Sequence, residues 1–453
     1  MDEQVVSHIR KSLGAFAEDF LAVLNQSPKR AVRVNTLKIS VAEAQSLMSL
    51  QEPNVYCDEA FLADDTLKGT HPYHHAGLIY FQEPSAMLAI EAARPYLTEL
   101  FARNDYPLVL DLCAAPGGKS GQAAALLNGR GALISNEIDF RRAKVLSSNL
   151  ERLGVRNCAV LSDTPERIAS CLQGVFDAVI VDAPCSGEGM LRKEPDALKN
   201  MNDKTVAACA ARQREILISA LRCLKEGGIL VYSTCTLNET ENELSLLPFI
   251  SSGELKPLEC PHLKLVHRSE RFFAYRALPQ DGAGEGHFVC VLRKTSGGEK
   301  KPKLVAYGDR VKNIGELSRL AASLTKEPLY GEPRMRNDGV YLCPLLPPMS
   351  GLCVVRLGVQ LASPIKNGFI PSHSFVAAMK KDTAQDPLNF RLGIDAERQA
   401  VERYLMGDTV SSAPEIRGFK AVAVDSFPLG LVKASGGEAK NHYPKGLRNL
   451  ART

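Results

Sequence analysis

Between positions 107 and 236 the chain alternates short apolar runs with helical stretches, and this alternation narrows the possible folds more than any other feature. PLVLDLC, ALISNEI, CAVLS, FDAVIVDAP and GILVYSTCT read as strands. SGQAAALL, FRRAKVLSSNLERLG and AACAARQREILISALRCL read as helices among them, the second carrying Leu146, Leu150 and Leu153 on one side. Apolar runs without polar alternation suit strands buried on both faces, as in a parallel sheet covered by helices. The expected fold is therefore α/β, a Rossmann-like, doubly wound, mostly parallel sheet over residues 79–295. FFAYRALP and HFVCVLRK, within 272–294, add strands at its edge.

At 453 residues the chain is too long for one core and has room for about three domains of roughly 150 residues. Val5, Ile9, Leu13, Phe16, Phe20 and Leu24 recur at three- and four-residue steps and predict a helix over 1–24. A basic extended stretch, the helix VAEAQSLMSL and a helix start in QEPSAMLAIEAARPYL follow, so 1–78 is read as a small α/β module. Residues 296–303 are polar and Gly/Lys-rich, a linker. Strand-like pieces among many Gly and Pro fill 304–453, read as one or two small α+β or barrel-like modules.

Hydrophobic residues at 45% and charged residues at 23% exclude wholesale disorder. There is no run of 18 apolar residues and no signal-peptide core at the N-terminus, so the expectation is a cytoplasmic protein. The twelve cysteines include no C-x-x-C pair, which argues against zinc ribbons and predicts mostly reduced, buried thiols. No metal is expected: His71, His74 and His75 cluster without acid or thiol partners and read as a surface loop. Net charge is only +4, but basic residues concentrate in 28–40, 293–303 and 433–453, which suits a polyanionic partner met on particular surfaces.

Asp111-Leu112-Cys113-Ala114-Ala115-Pro116-Gly117-Gly118-Lys119-Ser120 leaves the first strand of the sheet and enters a helix. A P-loop needs Gly where Cys113 stands, and the dinucleotide spacing G-x-G-x-x-G is absent. What remains is a small-residue turn suited to a nucleoside ligand without pyrophosphate. Glu137, about 20 residues on, stands where a ribose diol is gripped; Asp139 is the alternative, better suited to a helix N-cap. Asp182 ends a strand whose loop carries Cys185 behind Pro184, an exposed thiol by expectation, and Cys235 ends the neighbouring strand. Asp182 suits the amine and ring nitrogen of cytosine.

The chain resembles the Sun (Fmu) family of RNA cytosine-5 methyltransferases, in its RsmF-like bacterial branch. The resemblance rests on CAAPGGK (113–119), DAPCSGEGM (182–190) and YSTCTLNETENE (232–243), and covers about residues 80–295. RAVRVNTLK, HHAGLIYFQEPSAM and the tail KNHYPKGLR extend it to both flanks, with a PUA-like RNA-binding domain expected at the C-terminus. The resemblance implies a class I fold and S-adenosyl-L-methionine bound by Cys113, Ala114, Ala115, Pro116, Gly117, Gly118, Lys119 and Glu137. It further implies contact of Asp182 with both substrate and cofactor. Cys235 would be the nucleophile and Cys185 the group that helps release product. Asp163, in LSDTP, stands near the family's adenine-contacting acid with a possible one-residue offset.

These residue types fit the chemistry. Cytosine C5 is a poor nucleophile until a thiolate adds to C6, and a thiolate can also leave afterwards. Asp182 would favour a protonated N3. Lys193 would meet a phosphate or the base, or stand as a surface cation. The expected partner is small-subunit ribosomal RNA, naked or in an assembled 30S subunit, with the base unstacked into the site, and a monomer is favoured. The alternatives are a transfer-RNA cytosine-5 methyltransferase and a non-catalytic ribosome-assembly factor.

Overall fold

The computed structural model describes residues 3–449 except 65, 194–201, 283, 299–301, 313 and 338. The predicted first helix is two: α1 (Glu3–Leu13) and α2 (Ala17–Val23), joined by a 3-10 turn. Gly14, at φ 51°, breaks the run, because a left-handed residue cannot continue a right-handed helix. The break turns Phe16 away from the buried stripe and leaves it 40% exposed. Val5, Ile9, Leu13 and Phe20 keep their places and pack on Leu191, Leu237 and Leu278.

The basic stretch that follows forms β1 (Ala31–Val34). With β2 (Pro53–Asn54), β3 (Cys57–Leu62) and β4 (Ile79–Gln82) it makes an antiparallel sheet in the order β2-β3-β1-β4. Helix α3 (Val41–Met48) is capped by the Ser40 side chain, and α4 (Pro72–His75) is a single turn.

Then come α5 (Leu88–Arg103) and the expected alternation: β5 (Leu108–Asp111), α6 (Gly118–Leu127), β6 (Ala132–Asn136), α7 (Phe140–Arg152), β7 (Cys158–Leu161), α8 (Pro165–Cys171), β8 (Phe176–Asp182), α9 (Asp203–Cys223) and β9 (Leu224–Thr234). The strands pair in parallel in the order β7-β6-β5-β8-β9. Alternate residues point to opposite faces, so Leu110, Ile134 and Val179 enter one core with Leu217 while Val109, Leu133 and Ile180 enter the other with Leu97 and Leu150. Each such side chain contributes roughly 1.5–3 kcal/mol on burial, which explains why the runs are apolar throughout. The strand order reverses between β5 and β8, and ligands of open α/β sheets bind at the carboxyl ends beside that point.

Antiparallel strands β10 (Leu255–Pro257), β11 (His267–Arg268), β12 (Tyr275–Ala277) and β13 (His287–Lys294) extend the β9 side, so FFAYRALP supplies a shorter strand than expected. The opposite edge is closed from far down the chain. LCVVRLGVQL splits at Gly358 into Val354–Leu357, antiparallel to β7, and Val359–Ile365, part of a separate five-stranded sheet. Gly358 has φ 55°, and a Cβ there would fall 2.1 Å from the Leu342 carbonyl oxygen, so only glycine makes this crossing. A last five-stranded sheet spans residues 388–441. Among the described residues, no helix is long and apolar enough to cross a membrane.

Candidate active site

The turn after β5 is shaped by its glycines and by the N-terminal sheet. Gly117 sits at φ 111°, and the Arg33 Nη1 donates to the Gly118 carbonyl oxygen at 2.9 Å. Ala114 N–H donates to Asn136 O at 2.8 Å, holding the turn against the end of β6. Beneath it Ser120 Oγ donates to Asp111 Oδ2 at 2.6 Å, while Asp111 Oδ1 is buried without a partner. Burial pushes the Asp111 carboxyl up to about 7. Burial also raises the Cys113 thiol, so it stays protonated.

Asp182, at the end of β8, has a third of its side chain open (34%). Its Oδ2 is 2.8 Å from Lys119 Nζ, and its Oδ1 accepts from Ser233 Oγ at 2.8 Å. Burial acts to raise this carboxyl, but Lys119, His287 and Ser233 together outweigh it and hold the group below the usual carboxylate range. His287 Nε2 lies 3.7 Å from Asp182 and has no hydrogen-bond partner. Burial pushes that ring down to about 3, so it is neutral. These groups line a cavity of about 490 Å3 with the 113–119 turn on one side and Cys185 and Cys235 on the other. Tyr80 to Glu83 of the N-terminal module form part of its wall, which sequence reasoning did not foresee.

The two thiols meet: Cys185 Sγ and Cys235 Sγ are 3.0 Å apart, both free. Cys185 is half-buried, not exposed as expected, because its loop folds back onto β9. The bond to Cys235, reinforced by burial, raises the Cys185 thiol. Two buried acids hold this arrangement. Glu241 accepts from Ser186 N–H at 2.9 Å and from Gln213 Nε2 at 2.9 Å. Glu188 Oε2 accepts from the N–H groups of Leu237 and Asn238 at 2.8 and 2.7 Å. Neither acid stood out in the sequence; their places in Gly- and Asn-rich turns are the signal that was available.

Other expected residues lie where the chain order predicts, in less open settings. Glu137 is buried, accepts from Asp139 N–H at 3.0 Å and has Arg142 at 3.4 Å. Asp139 caps α7 by accepting from Arg142 N–H. Asp163 Oδ2 accepts from Cys353 N–H at 3.0 Å and its Oδ1 is 3.1 Å from Arg167, so both oxygens are engaged. Neither Glu137 nor Asp163 lines the cavity. Lys193 follows the Cys185 loop half-buried.

The histidine cluster is not a surface loop. His75 is held by Tyr443 at 2.8 Å and Asn449 at 2.9 Å, and burial pushes His74 down to about 3. The His75 ring thus joins the N-terminal module to the tail. The basic run 28–40 is likewise only partly a surface: Arg33 is 3% exposed and Lys38 Nζ donates to Ala76 O at 2.6 Å. Cys57, Glu59 and Glu91 also lie together, where Arg94 pairs with both acids.

Four stretches of the chain match described families. Residues 98–293 match 16S rRNA methyltransferase RsmB/F, and 1–84 match the N-terminal domain of 16S rRNA methyltransferase RsmF. Residues 320–379 match the first C-terminal domain of RsmF rRNA methyltransferase, and 391–449 its PUA domain. The ribosomal RNA small subunit methyltransferase F of Escherichia fergusonii is 35% identical over 95% of this chain and 92% of its own. The chain belongs to the RsmF branch of the RsmB/F methyltransferase family. Its relative of the same description in Salmonella typhi is 34% identical over the same shares. A solved methyltransferase homologue from Pyrococcus horikoshii is 27% identical, with a TM-score of 0.56 over 65% of this chain and 95% of that one. The class I α/β fold and the C-terminal PUA domain expected from the resemblance are those of this family.

Proposed function

We propose that the protein methylates C5 of a cytosine in 16S ribosomal RNA, using S-adenosyl-L-methionine and a transient bond between Cys235 and C6 of the base. The observation that carries this reading is the pair of sulfurs 3.0 Å apart beside Asp182, at the carboxyl ends of neighbouring parallel strands. The cofactor fits the other half of the cavity: the 113–119 turn offers close backbone approach, and Asp111 presents a buried, unpartnered oxygen. Cys113, Ala114, Ala115, Pro116, Gly117, Gly118 and Lys119 would hold it, with Glu137 as the ribose reader and Asp163 near the adenine. When bound it supplies an electrophilic methyl on a sulfonium.

The chain's own groups do the rest. A protonated Cys185 donating to the neighbouring sulfur leaves Cys235 as the nucleophile that adds to C6. Asp182, anchored by Lys119 and Ser233, accepts from the exocyclic amine and from N3, which takes up the proton that Cys235 gives up, and so stabilises the adduct as electron density gathers on C5. After methyl transfer a water molecule takes the C5 proton and the C6–sulfur bond breaks, returning the Cys235 thiolate. Cys185, adjacent throughout, takes part in this release.

RNA carrying 5-fluorocytidine at the target has no C5 proton to lose, so the adduct should persist. Digestion and mass spectrometry are expected to place the crosslink on Cys235. A crosslink on any other residue, or turnover of unmodified RNA with no crosslink, rejects the assignment. Bisulfite sequencing of ribosomal and transfer RNA from cells with and without the protein tests the choice of 16S RNA.

A further inference from the structure

A second cavity, of about 560 Å3, opens at the other end of the sheet. Tyr106, Gly131 and Arg156 precede β5, β6 and β7, so this cavity faces the amino ends of the strands whose carboxyl ends carry the active site. Its far wall comes from residues 330–334 and 343–345 of the first C-terminal module. Its size falls within the roughly 300–1,000 Å3 of ordinary small-ligand sites.

Arg156, Arg334 and Lys380 line it together with Lys38, whose Nζ is spent on the Ala76 and Arg152 carbonyls; Glu332 also lines it, and Glu327 stands 3.4 Å from Arg156. Arg156 is spread over the Tyr330 ring at 4.5 Å and donates through Nε to Ala378 O at 2.8 Å, which fixes both planes. Two donors point at nothing: the Tyr330 hydroxyl and Arg334 Nε are buried, and neither has a partner. Arg334 donates through Nη2 to Glu332 at 2.6 Å. A buried donor left unpartnered is unfavourable, so a site that keeps two of them beside Arg334 and the exposed Lys380 suits a ligand that brings acceptors. The remaining wall, including Leu37, Pro344 and Leu345, is apolar.

We propose that this cavity binds a nucleotide, its phosphate on Arg334, Tyr330 and Lys380 and its base against the apolar wall. A bare phosphate would satisfy the donors and leave the apolar half unused. An uncharged aromatic would leave the donors unpartnered. The nucleotide has two possible sources, a free mononucleotide or one unit of an RNA strand, and the same phosphate chemistry serves both. Because the cavity lies behind the sheet, binding there does not depend on the methyl-transfer reading.

The test is equilibrium dialysis of the full-length protein with labelled AMP and, separately, with a short 5′-phosphorylated RNA. Wild type is compared with Arg334→Gln, Tyr330→Phe and Lys380→Gln; Lys380 is exposed, so its variant folds normally. Occupancy of the active-site cavity is common to all four proteins and cancels. Arg334→Gln should weaken binding at least about tenfold, and Tyr330→Phe and Lys380→Gln each about two- to fivefold. Loss seen with AMP identifies a free nucleotide as sufficient, and loss seen only with the oligonucleotide identifies a unit of the strand. Equal binding by wild type and all variants for both probes overturns the proposal. Inorganic phosphate competing as well as AMP overturns the choice of a nucleotide.

Discussion

His8 Nε2 lies 2.6 Å from Glu188 Oε1, and through this contact the first helix of the chain grips the loop between the two thiols. Ser12, one turn on, donates to the same oxygen at 3.0 Å. Glu188 spends its other oxygen on the backbone just past Cys235, so a residue near the N-terminus sets the place of a sulfur 227 positions away.

That clasp has a defined pH window. The bond to Glu188 raises His8 above 6.5, so its contribution is complete below 6.5 and is lost as pH rises through the folded value. For Glu188, burial works upward but His8 and the backbone donors win, and the carboxyl falls below 4.5. Its contribution is complete above 4.5 and lost as pH falls through the folded value. His8→Gln should therefore cost about 1–3 kcal/mol between pH 4.5 and 6.5, and progressively less as pH rises through the folded value of His8 or falls through that of Glu188. Chemical denaturation of wild type and variant across pH measures this; a pH-independent difference rejects the charged pair.

The two cysteines should fail differently. Cys235→Ala should lower kcat by at least about a thousandfold, as loss of a nucleophile does. Cys185→Ala should instead accumulate a covalent protein–RNA complex, visible as a shifted band in a denaturing gel. A shifted band with Cys235→Ala in place of Cys185→Ala reverses the roles.

Lys119→Met removes the cation that keeps Asp182 ionised. The Asp182 carboxyl should rise, and the acid limb of kcat/KM should move to higher pH, with a loss of roughly ten- to a hundredfold at pH 7. A uniform loss with an unmoved acid limb would mean Lys119 acts only in binding.

Asp111 carries a stability cost. Its folded value of about 7 lies above the ordinary 3.8, so the unfolded chain holds fewer protons between those values and stability falls as pH rises through that range. Asp111→Asn should raise the stability of the ligand-free protein by about 1–3 kcal/mol at pH 8 and by little at pH 4. Thermal unfolding at the two pH values checks it.

Gly189→Ala should harm both folding and activity. A Cβ there would fall 2.5 Å from Gly286 O and 2.8 Å from Cys235 O, both backbone atoms with no room to yield. The expected cost is about 1–3 kcal/mol, read by denaturation, with kcat falling because the Cys235 carbonyl must move.

The candidate crevice was legible because its signals are local. Asp111, Asp182 and Cys235 each end an apolar run, and parallel pairing brings such ends together. The cap role of Asp139 was readable for the same reason. What escaped depends on partners far along the chain. Nothing near Arg33 says that it supports Gly118, and nothing near His75 says that Tyr443 and Asn449 await it. LCVVRLGVQL reads as one strand, because the Gly358 kink that sends its halves to different sheets needs the approach of Leu342 to explain it.

The Val354–Leu357 strand has a consequence for how the enzyme is made. Parallel strand β7 can be synthesised, but its outer hydrogen-bonding edge stays bare until some 190 further residues have emerged. A nascent chain halted after position 295 would carry every reactive group and still present an open template to its neighbours. The sheet of the methyltransferase body is thus closed only once its first C-terminal domain has been made.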